Sequence, residues 1–257
     1  METARPLLAV LAVLAAAAAA EPLVHCPRDD RLGQCVGEAF LRIIRSMATG
    51  DPEHGVPKLD PILVPLMPMS KNAGKVLNLN MTFVNLTIED ITHDVTLKSA
   101  KFDYDKLEAT LELHRPLVHF HGSYKINGKI LWLPIWGEGT SWMKMTDVGE
   151  VWHMRAERAV AEDGRPYMQL KEYTSTLSPG AMAVHYDNLF GGNWVLGQGA
   201  NTLINSQWKV IYQQLQPLSD GHFSAIMRPY WADIFKQQVD LDRDFPAPAA
   251  AAAAPAP

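Results

Sequence analysis

Residues 181–193 read AMAVHYDNLFGGN. Met182, Val184 and Tyr186 alternate with Ala183 and His185, which places them on one face of a strand. Beyond Leu189-Phe190-Gly191-Gly192-Asn193 the period changes. Ile204, Trp208, Ile211, Leu215 and Leu218 follow at steps of four, three, four and three, the stripe of a helix buried along its length. The Gly-Gly pair frees the backbone for a sharp corner, and Asn193 stands where a helix N-cap is needed. The junction carries no catalytic motif. It governs how a sheet closes over a helix, and so where a ligand lies.

Upstream, residues 75–188 read mostly as strand. Leu77, Leu79, Met81 and Phe83 alternate with polar residues, as do Leu107 to Leu113, Val118 to Ile126, and Trp152, Met154 and Ala156. Such alternation marks antiparallel strands with one buried face. Asn127-Gly128 reads as a hairpin turn, and Asp163-Gly164 as another. Residues 36–48 form an amphipathic helix with Val36, Phe40, Ile43, Ile44 and Met47 as its stripe and Gly50 at its end. The proline-rich residues 51–70 read as an extended connection. The C-terminal helix covers about 193–216; Pro217 and Gly221 interrupt it, and a second helix covers 222–237, with Pro229 as a site for a kink. A long one-sided sheet needs a cover, and the C-terminal helix is the long apolar element available. The expected fold is therefore α+β, a long curved antiparallel sheet wrapped around that helix. A lipocalin-like barrel suits the strand content but not the two helices.

Of the 257 residues 47% are hydrophobic, enough for a sizeable core, and a net charge of -5 argues against nucleic acid as a partner. Arg5 and the apolar run from Leu7 to Ala20 read as a signal peptide over residues 1–20, with small residues before Glu21; an uncleaved anchor is the alternative. The mature chain is then secreted, without stable membrane insertion, as one lipid-binding domain over 21–245. Residues 246–257 are an Ala/Pro tail, read as disordered. In an oxidising compartment Cys26 and Cys35 form a disulfide, contributing roughly 2–3 kcal/mol by loop entropy. Asn80-Met81-Thr82 and Asn85-Leu86-Thr87 are glycosylation sequons.

Motifs for chemistry are sparse. His119 and His121 share a strand face, with His114 and His185 as conceivable neighbours, which is how some zinc sites begin; a polar outer face is the plainer reading, and no metal site is assigned. There is no G-x-S-x-G elbow. Gly137-Glu138-Gly139 and Gly197-Gln198-Gly199 lack the strand-turn-helix setting of a nucleotide loop. No catalytic residue and no cofactor are assigned.

A resemblance adds to this reading. Asn188-Leu189-Phe190-Gly191-Gly192-Asn193 with Leu196-Gly197, Asn201, Asn205 and Trp208 resembles the C-terminal segment of the insect takeout / juvenile-hormone-binding protein family. Gly55-Val56-Pro57, Leu59-Asp60-Pro61-Ile62 and Val64-Pro65 resemble its first proline-rich segment. Tyr124, Ile126 to Leu131, Leu133-Pro134-Ile135 and Gly137-Glu138-Gly139 resemble its central one. With the two cysteines, the likeness covers about residues 26–240; the absence of a second cysteine pair favours the takeout branch. The resemblance implies a hydrophobic tunnel between sheet and helix. Its ligands would be juvenile-hormone-like terpenoids, fatty acids or quinone-type isoprenoids, in a setting of haemolymph, sensory lymph, feeding or circadian output. The residues then expected to line the tunnel are Leu79, Met81, Phe83, Phe120, Tyr124, Trp142, Trp152, Met154, Met168, Met182, Tyr186 and Trp208, with Tyr124 or Tyr186 to orient a head group. Pattern alone does not separate such a lining from plain core; the resemblance decides. The alternatives are an esterase acting on a bound lipid and a protein-interaction module without ligand.

Overall fold

A computed structural model describes residues 22–248. The expected signal peptide, residues 1–20, and the tail from residue 249 onward lie outside the described residues. Helix α1 (Leu32–Ser46) precedes seven strands: β1 (Ile62–Pro68), β2 (Lys71–Ala73), β3 (Leu77–Glu89), β4 (Thr96–Asp103), β5 (Glu108–Ile130), β6 (Leu133–Val160) and β7 (Pro166–Tyr186). Then come α2 (Trp194–Ser206), α3 (Trp208–Gln238) and the short α4 (Leu241–Asp244). All strand pairs are antiparallel. The sheet order is β1-β3-β5-β6-β7, with β2 added to β3 and β4 to β5.

The strands β5, β6 and β7 have 23, 28 and 21 residues, several times the usual length. Bulges bend them. Asn85 takes a left-handed φ of 49° where the β3–β5 register slips, and an extra residue on one strand kinks it and strengthens its twist. The β6–β7 register slips at Arg155/Ala156, and at Asp147 (φ 54°) β6 leaves its pairing with β5 and β7 without a change of register. The result is a long curved sheet with an apolar concave face.

Helices α2 and α3 close that face along one edge. β7 is a terminal strand, and its open backbone bonds to helix side chains instead of another strand. Asn205 accepts from the Val184 N–H (2.9 Å) and donates to the Val184 carbonyl (2.8 Å). Asn201 does the same for Tyr186 at 2.9 and 3.0 Å. Tyr212 and Gln216 donate to the Leu177 carbonyl, Asp220 accepts from the Leu177 N–H, Ser224 from the Ser175 N–H, and Arg228 donates to the Lys171 carbonyl. On the other side His222 Nε2 lies 2.7 Å from the Pro68 carbonyl at the end of β1. The sheet does not close on itself as a lipocalin barrel would; α3 spans the gap between its two edge strands.

Several expectations about boundaries are corrected. The helix does not break at Pro217 to Gly221: α3 runs through Pro217, Gly221 and Pro229, and the break falls at Gln207 (φ -115°). Side-chain bonds to β7 from Gln216 and Asp220 hold the axis on either side of Pro217, and those of Ser224 and Arg228 hold it ahead of Pro229. The break also resets the helical phase, so that the ridge of anchors passes from Asn201 and Asn205 to Tyr212 and then repeats every fourth residue. Residues 62–68 are not merely extended: they form β1, paired to β3, and β1 is an edge strand, where prolines are tolerated. Asn127-Gly128 is not a turn. β5 continues to Ile130, and the reversal lies at Leu131 and Trp132. Gly128 is there because Asn78 O would lie 2.2 Å from any Cβ. Asp163-Gly164 does form the β6–β7 reversal, closed by the Ala161 N–H to the Arg165 carbonyl at 2.9 Å. The Gly191-Gly192 corner has φ values of 63° and 85°, and Asn193 caps α2 by accepting from the Leu196 N–H at 3.1 Å. Cys26 and Cys35 are disulfide-bonded.

A candidate ligand-binding interior

The inner face of the sheet, α1 and α3 enclose one continuous apolar cluster. Two cavities lie within it. The first, near α1 and the end of α3, is lined by apolar residues alone, among them Phe40, Phe102, Met154, Met168, Phe235 and Phe245, with about 20 Å³ of free space. The second, at the other end of the sheet, is lined by Met67, Phe83, Leu86, Phe120, Met143 and Tyr186, with Ser141 and Trp142, and also holds about 20 Å³. Each has room for a water or so. Met143 and Met154 stand at the two cavities on the same strand, eleven residues and about 36 Å apart. The interior is thus long, narrow and filled by its own side chains.

Between the cavities stands an aromatic cluster that joins three layers. Trp231 of α3 packs on Trp152 of β6 (5.3 Å between centroids) and on Phe40 of α1 (5.2 Å); Tyr173 of β7 meets Trp152 edge-on at 5.7 Å. Beside it lies a buried ion pair. Arg115 Nε donates to Glu150 Oε2 at 2.8 Å, and Arg115 Nη1 donates to the Ile91 carbonyl. Trp152 Nε1 and Ser175 Oγ donate to Glu150 Oε1 at 2.6 and 2.5 Å. Two further buried polar atoms, Tyr173 OH and Trp231 Nε1, have no hydrogen-bond partner among the described residues. Burial, then the charge of Glu150, push the Tyr173 hydroxyl far up from its ordinary pKa, against an opposing pull from Arg115, Trp231 and Ser175. The Trp231 indole and Ser175 thus face that oxygen without the geometry of a hydrogen bond.

The residues expected to line a tunnel fall as follows. Met154 and Met168 line the first cavity, and Phe83, Phe120 and Tyr186 the second. Trp152 is in the cluster between them. Leu79, Met81 and Tyr124 are buried on the inner face, and Met182 and Trp208 are half-buried against it. Trp142 departs from expectation. It pairs with His121 and His185, stacks on the His185 ring at 5.9 Å, and is half exposed. It reaches the second cavity from the outer side, while Met143 points inward. Trp142 shares the parity of Trp152, but the inward parity of β6 changes at Asp147 (φ 54°), from Met145 before it to Val148 and Glu150 after it. Tyr124 is not free to hold a head group: its hydroxyl donates to the Asp187 carbonyl at 2.5 Å, and burial followed by the Asp187 charge push its pKa up to about 12.

The pattern of alternation carries a further signal. Glu150 shares parity with Trp152, Met154 and Ala156, and Arg115 with Leu111 and Leu113. A charged residue at an inward position implies a buried partner. The four histidines behave as outer-face groups. His114 pairs with Asp147, His119 with Asp90, His121 with Glu89 and His185 with Asp187. No group of three or more potential metal ligands occurs among the described residues.

Asp220 gives the helix–β7 seam a pH dependence. Burial pushes its carboxyl up to about 6, against the pull of the Leu177 N–H and Gln216. The folded state therefore binds this proton more tightly than the unfolded chain. Its contribution to stability is fully present below about pH 4 and is lost as pH rises through about 6. Asp220→Asn, which keeps an oxygen for the Leu177 N–H, is expected to flatten this part of the stability curve. Urea midpoints of both proteins between pH 4 and 7 measure it; parallel curves would rule Asp220 out.

The sequence model of the haemolymph juvenile hormone binding protein family matches residues 7–244. This chain belongs to that family. Among its relatives, the circadian clock-controlled protein daywake of Drosophila melanogaster is 28% identical over 226 residues, covering 83% of this chain and 85% of the relative. Daywake of Drosophila yakuba is 26% identical over 225 residues with the same coverage. The crystal structure of Epiphyas postvittana Takeout 1 superposes with a TM-score of 0.71 at 22% identity, covering 88% of this chain and 99% of that one. The takeout fold, a long curved antiparallel sheet with a long C-terminal helix, is therefore the fold of this chain.

Proposed function

We propose that this protein is a secreted carrier for a long, mostly apolar small molecule held between the sheet and α3. The observation that carries this reading is the apolar interior about 36 Å long, with a cavity toward each end and two unpartnered buried donors between them. Its lining is rich in methionine and phenylalanine. Methionine repacks at low cost, so a ligand enters by displacing Met143, Met154 and Met168 rather than by filling a ready space. Burying about 400 Å² of apolar ligand would supply on the order of 10 kcal/mol before association costs. Tyr173 OH and Trp231 Nε1 would both donate to one ligand oxygen. Arg115 is already committed to Glu150 and the Ile91 carbonyl, so no free cation is left to meet a carboxylate, and a neutral carbonyl, ester or quinone oxygen fits better. The leader, the disulfide and the exposed sequon residues Asn80 and Asn85 support passage through the secretory pathway.

Native mass spectrometry of protein secreted from insect cells tests the proposal. The expected result is a defined extra mass from an apolar compound, lost in Phe120→Asp. Tyr173→Phe removes an unsatisfied hydroxyl and should fold as well as the parent. Its affinity for an oxygen-bearing ligand should fall about tenfold, the value of one hydrogen bond, with no change for a hydrocarbon probe. A protein that carries no extra mass and binds no hydrophobic probe would overturn the carrier reading.

A further inference from the structure

The two described termini lie together at one end of the molecule, where the Cys26 N–H donates to the Asp244 carbonyl at 2.7 Å and Arg158, late in β6, pairs with Asp242. The opposite end has a different surface. There the β2–β3 and β5–β6 reversals lie side by side, joined by the Leu131 N–H to the Val76 carbonyl at 2.7 Å. Trp132, at the tip of the second reversal, is 70% exposed. Trp136 follows on β6, 50% exposed, with its ring against Phe190 and Gly191. Gly191 leads into the first turn of α2, where Trp194, Val195 and Leu196 are 74%, 70% and 51% exposed. Three indoles and two aliphatic side chains thus stand in water on adjoining elements.

The charge at this end runs against the rest of the chain. Residues 70–82, 122–137 and 188–206, which build it, contain Lys71, Lys75, Lys125 and Lys129 and no Asp or Glu, in a protein of net charge -5. The bordering acids are engaged, Glu138 with Lys125, and Asp187 with His185 and Thr140. Exposed tryptophans flanked by lysines match the interface of a phospholipid bilayer, where an indole sits at headgroup depth and an ammonium meets phosphate. The acidic remainder of the molecule would be repelled by an anionic surface, which fixes the orientation. A second copy of the chain would set these same lysines against each other. We propose that this end docks on phospholipid bilayers, with Trp132 and Trp194 as wedges and Lys75 and Lys129 as charge contacts. The second cavity faces this end through Tyr186, so docking would bring it toward the bilayer; docking itself does not depend on carriage.

Co-sedimentation of the secreted protein with vesicles of phosphatidylcholine containing a minority of phosphatidylserine tests this. The expected result is salt-sensitive binding with a blue shift of tryptophan emission. Trp132→Ser with Trp194→Ser should abolish binding while leaving the thermal midpoint and the capture of a hydrophobic probe unchanged. Lys75→Gln with Lys129→Gln should weaken it by about fivefold for each lysine. No association of the parent protein, or association that survives the tryptophan pair, would overturn the proposal. So would a dimer in sedimentation velocity that the same pair dissolves without any vesicle binding, which would assign the patch to a second copy.

Discussion

Glu150→Ala is expected to lower the unfolding free energy by about 3–5 kcal/mol, or about 2–4 °C in thermal midpoint for each kcal/mol in a domain of this size. The carboxylate is buried and every strong contact it makes is a donor aimed at it: Arg115 Nε at 2.8 Å, Trp152 Nε1 at 2.6 Å and Ser175 Oγ at 2.5 Å. Without it, a guanidinium that is also buried keeps one bond, to the Ile91 carbonyl, and its charge has no counterpart. The loss measures that stranded charge and not the net value of the pair. Arg115→Met combined with Glu150→Leu should therefore recover most of the stability, because an apolar pair of similar volume often matches a buried ion pair. Urea titrations of parent, single and double variants separate the two. A double variant as unstable as Glu150→Ala would mean that the site depends on shape rather than on charge compensation. Breaking this contact should also disturb the aromatic cluster, since Trp152 carries both the hydrogen bond to Glu150 and the ring contacts with Tyr173 and Trp231.

The same residues show what was legible in the sequence. Alternation at Leu79 and Met81, at Phe120 and Tyr124, and at Trp152 and Met154 places each pair inward, because a strand repeats every second residue. What alternation does not carry is its phase across a residue that leaves the strand conformation. At Asp147 β6 takes a left-handed φ and leaves its pairing with β5 and β7, so Trp142 and Trp152, equal in parity, end on opposite faces. Asn127-Gly128 resembles a turn because glycine and asparagine favour turns, yet here the missing Cβ serves the close approach of Asn78. Pro217 and Gly221 suggest a helix break, and tertiary anchors at Gln216, Asp220 and Ser224 override it. The two unpartnered buried donors escape a reading of alternation for a different reason. Tyr173 and Trp231 come from β7 and α3, nearly sixty residues apart, and only the fold brings their polar atoms to the same place. The resemblance instead gives the polar role to Tyr124 or Tyr186, and the Tyr124 hydroxyl is spent on closing the corner at Asp187.

That corner leads to the second large effect. Asn201→Ala together with Asn205→Ala is expected to cost about 2–6 kcal/mol, from about 1–3 for each substitution. Each amide acts as one residue of a missing strand. It accepts from a β7 N–H and donates to the carbonyl of the same residue, Tyr186 for Asn201 and Val184 for Asn205. Each also donates to the helix carbonyl four residues earlier, so the amide is held in place from its own backbone. Alanine at both sites leaves the end of β7 open on its outer edge, with Val184 buried behind it. The family resemblance rested partly on Asn188, Asn193, Asn201 and Asn205, and all four bond backbone: Asn188 the Glu138 carbonyl at 2.8 Å, Asn193 the Leu196 N–H, and the other two the β7 edge. They are the residues that dock a helix onto a strand end, and they touch no reacting group. Hydrogen exchange distinguishes this role from general packing. The amides of Val184 and Tyr186 should exchange much faster in the double variant, while those of Ser175 and Leu177, held by Ser224 and Asp220, should keep their protection relative to global stability. Uniform acceleration along β7 would instead mean that the asparagines support the whole sheet and not its last turn. Asn201→Asp keeps the acceptor for the Tyr186 N–H and loses the donor to its carbonyl, so it should fall between alanine and the parent. An aspartate as harmful as alanine would assign most of the energy to the donated bond.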